Sequence, residues 1–102
     1  MSAIEEAERI KSREGVDSYL ICNVDGVVFR RHPKLSRQAA DALAKKMTGL
    51  ADVAKDVARD LDPTDDIRIL RIKTARKEVL VSREEDFLIV IQQWKPVPPK
   101  EN

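Results

Sequence analysis

Five aspartates crowd the middle of this 102-residue chain: Asp56, Asp60, Asp62, Asp65 and Asp66. Carboxylates at such short spacing suit calcium, but a calcium loop of the helix-loop-helix kind needs a central glycine and a glutamate at its last position. This run has neither, and Pro63 interrupts it, so it reads as a solvated helix end. Cys22 and His32 are the sole cysteine and histidine. A Cys/His nucleophile needs the base in hydrogen-bond reach and a third group to orient it. Cys22 sits in the apolar run Tyr19-Leu20-Ile21-Cys22, where a thiol is usually inert core, and His32 stands beside Arg31 at a predicted strand end. Arg30, Arg31, His32, Lys34 and Arg37 form a local basic patch able to touch phosphates or an acidic partner. It has no interleaved aromatics for base stacking and reads as a solvated hairpin end. Gly15, Gly26 and Gly49 are scattered, so no phosphate-cradling loop exists. No catalytic residue, metal ligand or cofactor site is expected, and no cofactor.

Composition sets the same bounds. The chain is 42% hydrophobic, enough for one core, and 36% charged, yet its net charge is only +1. That balance argues against a dedicated nucleic-acid binder. One cysteine excludes a disulfide framework and fits a reducing compartment. The apolar run Phe87–Ile91 is far shorter than the roughly 20 residues that span a bilayer. The opening MSAIEEAERIKSREG is acidic and amphipathic, which predicts no secretory signal and no membrane insertion.

The elements follow from periodicity. Residues 2–14 read as a short helix with Ser2 and Glu5 at capping-box spacing, a narrow stripe of Ile4, Ala7 and Ile10, and Gly15 as its C-cap. Residues 16–24 read as a strand buried on both faces. Asp25-Gly26 signals a two-residue hairpin, and Val27, Val28 and Phe29 open the return strand. Ser36 is the N-cap of a helix from Arg37 to Leu61, roughly 37 Å long. Leu43, Met47, Leu50, Ala54, Val57 and Leu61 form one stripe, widened by Ala40, Ala44, Ala51 and Ala58, and this broad face is expected to cover a sheet. Asp62-Pro63 closes the helix. Strands are expected over 67–74, 78–82 and 87–91, and then a tail with three prolines. The sum is an α/β (α+β) fold: a three-layer α/β/α sandwich around a five-stranded antiparallel sheet, in the order helix, two strands, helix, three strands. Residues 1–94 form one domain, followed by an extended, mobile tail over 95–102.

Two features ask for a second copy. The long helix exceeds what a domain of about 100 residues needs, given a radius of gyration near 13 Å. The strand over 67–74, if placed at an edge, leaves backbone groups unpaired with no proline or glycine to blunt it. A two-fold axis satisfies both.

The blocks GVDSYLICNVDGVVFRR (15–31) and DLDPTDDIRILRIKTARKEVLVSREEDFLIVIQQ (60–93) resemble the dynein light chain roadblock family, with element order and lengths matching over about 3–93. The resemblance implies a homodimer whose third strands join into a ten-stranded sheet while the long helices pack across the two-fold axis. The expected interface is Leu43, Met47, Leu50, Ala51 and Ala54 on the helix and Ile67, Ile69, Arg71 and Lys73 on the strand. It also implies a non-catalytic light-chain subunit of a dynein motor, binding dynein intermediate chain directly and meeting heavy chain and other light chains indirectly. Such a subunit works in microtubule-based transport, in the cytoplasm and cytoskeleton or in a cilium or flagellum. A groove beside Ile4, Ala7 and Ile10 would seat an amphipathic partner helix. The alternative is a roadblock-type scaffold or regulator of a small Ras-like GTPase.

Overall fold

The computed structural model describes residues 16–94. The predicted first helix with Ile4, Ala7 and Ile10, and the tail over 95–102, lie outside the described residues. The elements are β1 (Val16–Asn23), β2 (Val28–Arg31), α1 (Arg37–Leu61), β3 (Ile69–Lys73), β4 (Lys77–Arg83) and β5 (Phe87–Trp94). They form one five-stranded sheet in the order β2-β1-β5-β4-β3, antiparallel throughout, with α1 on one face.

The unalternating apolar runs occupy the centre. Leu20 lies opposite Val90, Ile21 opposite Ile89 and Cys22 opposite Leu88. Successive side chains point to opposite faces, so both faces of β1 and β5 must be covered. Leu20, Cys22, Val81, Leu88 and Val90 pack beneath α1. Tyr19, Ile21 and Ile89 form a second buried cluster with Val16, Phe87 and Ile91. Burial pushes the Cys22 thiol up to about 11, so it stays protonated at neutral pH and is a poor nucleophile.

The helix ends are those its sequence dictates. The Ser36 hydroxyl accepts the Ala39 N–H at 3.1 Å. At the other end the Asp62 N–H donates to the Ala58 carbonyl, and the Asp62 carboxylate accepts both the N–H and the hydroxyl of Thr64. The helix face differs from expectation. Ala40, Ala44, Thr48 and Ala51 are the residues buried against the sheet. Leu43 and Met47 flank that contact, while Leu50, Val57 and Leu61 are exposed. The sheet supplies its own bulk through Leu20, Leu88 and Val90. Small residues let the helix sit close on that surface, and a leucine row would hold it off.

The β1–β2 connection is also corrected. Asn23 N–H donates to the Val27 carbonyl, and Gly26 N–H donates to the Asn23 carbonyl. That is a three-residue loop with Gly26 at φ 86°, not a two-residue turn at Asp25-Gly26. The Asn23 carboxamide oxygen sets the length by accepting the N–H groups of Asp25 and Val27. A Cβ at Gly26 would meet Thr48 and Lys45 at ordinary contact distances of 3.5 and 3.6 Å, so only the backbone resists one. Gly26→Ala should lower stability by about 1 kcal/mol. Gly49→Ala, in mid-helix with open space around it, should raise stability by about 0.5–1 kcal/mol. Paired urea titrations check both signs.

Strand boundaries move for local reasons. β3 starts at Ile69, two residues later than expected, and ahead of it the Asp66 carboxylate accepts the Ile67 N–H at 2.8 Å. Lys77 belongs to β4 rather than to a turn, since Thr74 takes over the turn by accepting the Lys77 N–H at 2.9 Å. β5 runs past Ile91 to Trp94. There Gln92 donates to the Ser18 hydroxyl at 2.9 Å, and Lys77 sits 5.0 Å over the indole and 3.1 Å from Asp17.

Candidate interaction surfaces

The groups that suggested chemistry are kept apart. Cys22 lies in the cluster under α1, whereas His32 stands edge-on to Tyr19, of the opposite cluster, with ring centres 5.7 Å apart. The His32 Nδ1 accepts the Lys34 N–H at 3.0 Å, so that nitrogen holds a loop. Of the aspartates, Asp62 is the C-cap of α1, while Asp65 and Asp66 accept the N–H groups that follow them. The Thr64 N–H holds the Asp62 carboxyl below its ordinary range. Asp66 is lowered first by the Ile67 N–H and then by Lys55, Arg83 and Arg59. Among the described residues no group of His, Cys, Asp or Glu could hold a metal ion, and no helix is long and apolar enough to cross a membrane.

What remains are surfaces. β3 lies at one edge of the sheet, and among the described residues no strand pairs with its outer backbone row. Leu70 and Ile72 face the helix side and are half-buried, while Ile69 is 63% exposed on the other side. Arg71 and Lys73 are exposed. The Arg71 Nε lies 2.9 Å from a Glu78 oxygen across the β3–β4 pair. The strand contains no proline, glycine or bulge, the devices that blunt an edge.

The second surface is the outer stripe of α1: Leu50 (40% exposed), Val53 (60%), Val57 (53%) and Leu61 (83%). The spacing puts all four on one side of the helix, turned away from the alanine row. Of the expected interface residues, Leu50, Ile69, Arg71 and Lys73 are exposed, and Leu43, Met47, Ala54 and Ile67 are half-buried. Ala51 is the correction: it is 3% exposed within the core cluster and is not available to a partner. Val53 was missed. It lies three residues after Leu50 and four before Val57, a helical spacing that the sequence already displays. Ile67 falls before β3, beside an open polar cleft of about 550 Å³ that it lines with Lys55, Arg68 and Arg83.

The described residues thus form an antiparallel sheet with one long helix, an edge strand and an exposed apolar stripe on that helix. The chain matches the Roadblock/LC7 domain model over residues 5–93, and it belongs to that family. Solved structures share the fold. A Roadblock/LC7 domain from Streptomyces avermitilis is 17% identical with a TM-score of 0.78, covering 86% of this chain and 73% of that one. The gliding protein MglB of Thermus thermophilus is 22% identical with a TM-score of 0.76, covering 94% and 73%. An MglB in a tetrameric arrangement is 20% identical with a TM-score of 0.77, covering 95% and 74%.

Proposed function

We propose that this chain is a non-catalytic, homodimerising light-chain subunit of a dynein motor that binds dynein intermediate chain and supports assembly of the cargo-binding tail, in the cytoplasm and cytoskeleton. The dimer is carried by the bare β3 edge together with the exposed stripe Leu50, Val53, Val57 and Leu61. A self-complementary strand edge and an apolar helix row meet their own copies on one two-fold axis. The motor is carried by the block over residues 60–93, which resembles roadblock-type dynein light chains. The groove beside Ile4, Ala7 and Ile10 remains a proposal from sequence.

A second reading is a roadblock-type scaffold or regulator of a small Ras-like GTPase. The similar folds favour it, being a bacterial roadblock domain and bacterial gliding proteins. The comparisons lie nearer this second reading; the block over 60–93 lies nearer the first. Gentle purification of the tagged chain from its own cells, with mass spectrometry of the co-purifying chains, separates them. Dynein intermediate and heavy chains at near-stoichiometric amounts are expected. A small GTPase with no dynein chain would transfer the function to the second reading.

A further inference from the structure

β2 is the edge of the sheet opposite β3. Its pairing with β1 is irregular: Cys22 lies opposite Val28 and Ile21 opposite Arg30, so Phe29 has no partner in the ladder. Such a bulge redirects a side chain and interrupts regular pairing. Phe29 is 51% exposed and Val27, just before the strand, is 60% exposed. Val28, Phe29, Arg30, Arg31, Arg37 and Asp41 line an open cleft of about 190 Å³.

The cleft is strongly positive although the chain as a whole is nearly neutral. Arg30 and Arg31 come from β2 and Arg37 from the start of α1, and Lys34 lies in the loop between. That loop is held in place: Arg31 Nη1 donates to the Leu35 carbonyl at 2.7 Å and Lys34 N–H to His32 at 3.0 Å. The first turn of α1 carries no acidic residue to offset the positive end of the helix. Among the described residues, Asp41 is the one carboxylate lining the cleft. Among the described residues, none of Arg30, Arg31, Lys34 and Arg37 forms an ion pair.

We propose that the β2 edge docks an acidic peptide segment of a partner protein, its carboxylates meeting Arg30, Arg31, Arg37 and Lys34 while an apolar side chain covers Phe29 and Val27. Guanidinium groups grip carboxylates through paired N–H donors. The bulge rules out simple strand addition, so side chains carry the recognition. A nucleic acid fits less well, since one aromatic offers a single stacking platform and Asp41 repels phosphate. All the groups named lie on one chain, and the proposal rests on neither the dimer nor the motor reading. In a dimer joined through β3, the two β2 edges would be the outer ends of the sheet, and a partner with two acidic segments would gain by avidity.

The probe is a short fluorescent peptide of glutamates and aspartates containing leucine, titrated by anisotropy into the full chain at low and at physiological salt. Arg30→Glu with Arg37→Glu should weaken binding about tenfold or more and flatten its salt dependence. Phe29→Ser should weaken it about threefold or more at every salt while keeping the salt slope. Ala75→Ser, exposed in the β3–β4 connection far from β2, should leave peptide binding unchanged. Lys34→Glu, exposed in the loop, repeats the charge test if the double variant does not fold by circular dichroism. Equal binding by wild type and the charge variants overturns the proposal. So does displacement of the peptide by a single-stranded RNA at lower concentration than by unlabelled peptide.

Discussion

Val53→Glu combined with Val57→Glu is expected to turn a dimer into a monomer while the domain stays folded. Both side chains are more than half exposed on the outer stripe of α1, on the side away from the alanine row. Within one chain they have little packing to lose, and glutamate is a better helix former than valine. In a two-fold dimer each substitution counts twice. If each position loses about 1 kcal/mol of apolar burial, dissociation strengthens on the order of 10³-fold before charge repulsion across the axis is added. Light scattering should report half the wild-type mass, with the far-UV spectrum and melting temperature of the monomeric domain preserved. A variant that keeps the wild-type mass would move the interface off this stripe. A wild type that is monomeric at high concentration would remove the dimer, and with it the account of the bare β3 edge.

The boundaries of α1 were legible because each end has its own chemistry: a serine that caps, and Asp62-Pro63 that stops. The central strands were legible because two-sided burial erases alternation, as in Tyr19–Cys22 and Phe87–Ile91. The side of the helix that meets the sheet was not. Periodicity reports that a stripe exists, but two stripes lie side by side here, one of alanines and one of large apolar residues. The choice between them depends on the bulk of the opposing sheet, which the helix sequence does not contain. The hairpin loop was misjudged by one residue because the signal at Asp25-Gly26 was strong, while the contribution of Asn23 is a side-chain hydrogen bond made across the loop. The cleft at β2 was illegible for a similar reason. Its arginines belong to two elements, and the outward turn of Phe29 depends on a bulge that becomes visible only with the β1 register.

The block over 60–93 carries two kinds of information. Asp62 and Pro63 end a helix, Asp66 accepts the Ile67 N–H just before β3, and Glu78 binds Arg71 across the β3–β4 pair. Phe87 to Val90 fill the centre of the sheet. Most of the motif is therefore explained by folding this domain, whichever partner it serves. That is why the block supports the family more firmly than the motor within it, and why the residues that select a partner should be sought on surfaces such as the β2 edge.

Ala44→Leu should be strongly destabilising. Ala44 has no exposed surface and lies in the cluster formed by Leu20, Cys22, Val81, Leu88 and Val90. Three extra carbons there must push the helix off the sheet or force neighbours from their preferred rotamers, at about 1–3 kcal/mol. Helix propensity changes little, since leucine is nearly as good a former as alanine. For a domain of this size the melting temperature should fall by about 4–8 °C for each kcal/mol lost. Ala42→Leu, two residues earlier and exposed, should change stability by no more than about 0.5 kcal/mol. The pair reads the rotation of the helix directly. A damaging Ala42→Leu with a tolerated Ala44→Leu would mean that the leucine stripe faces inward after all, and the outer stripe would then have no dimer to build.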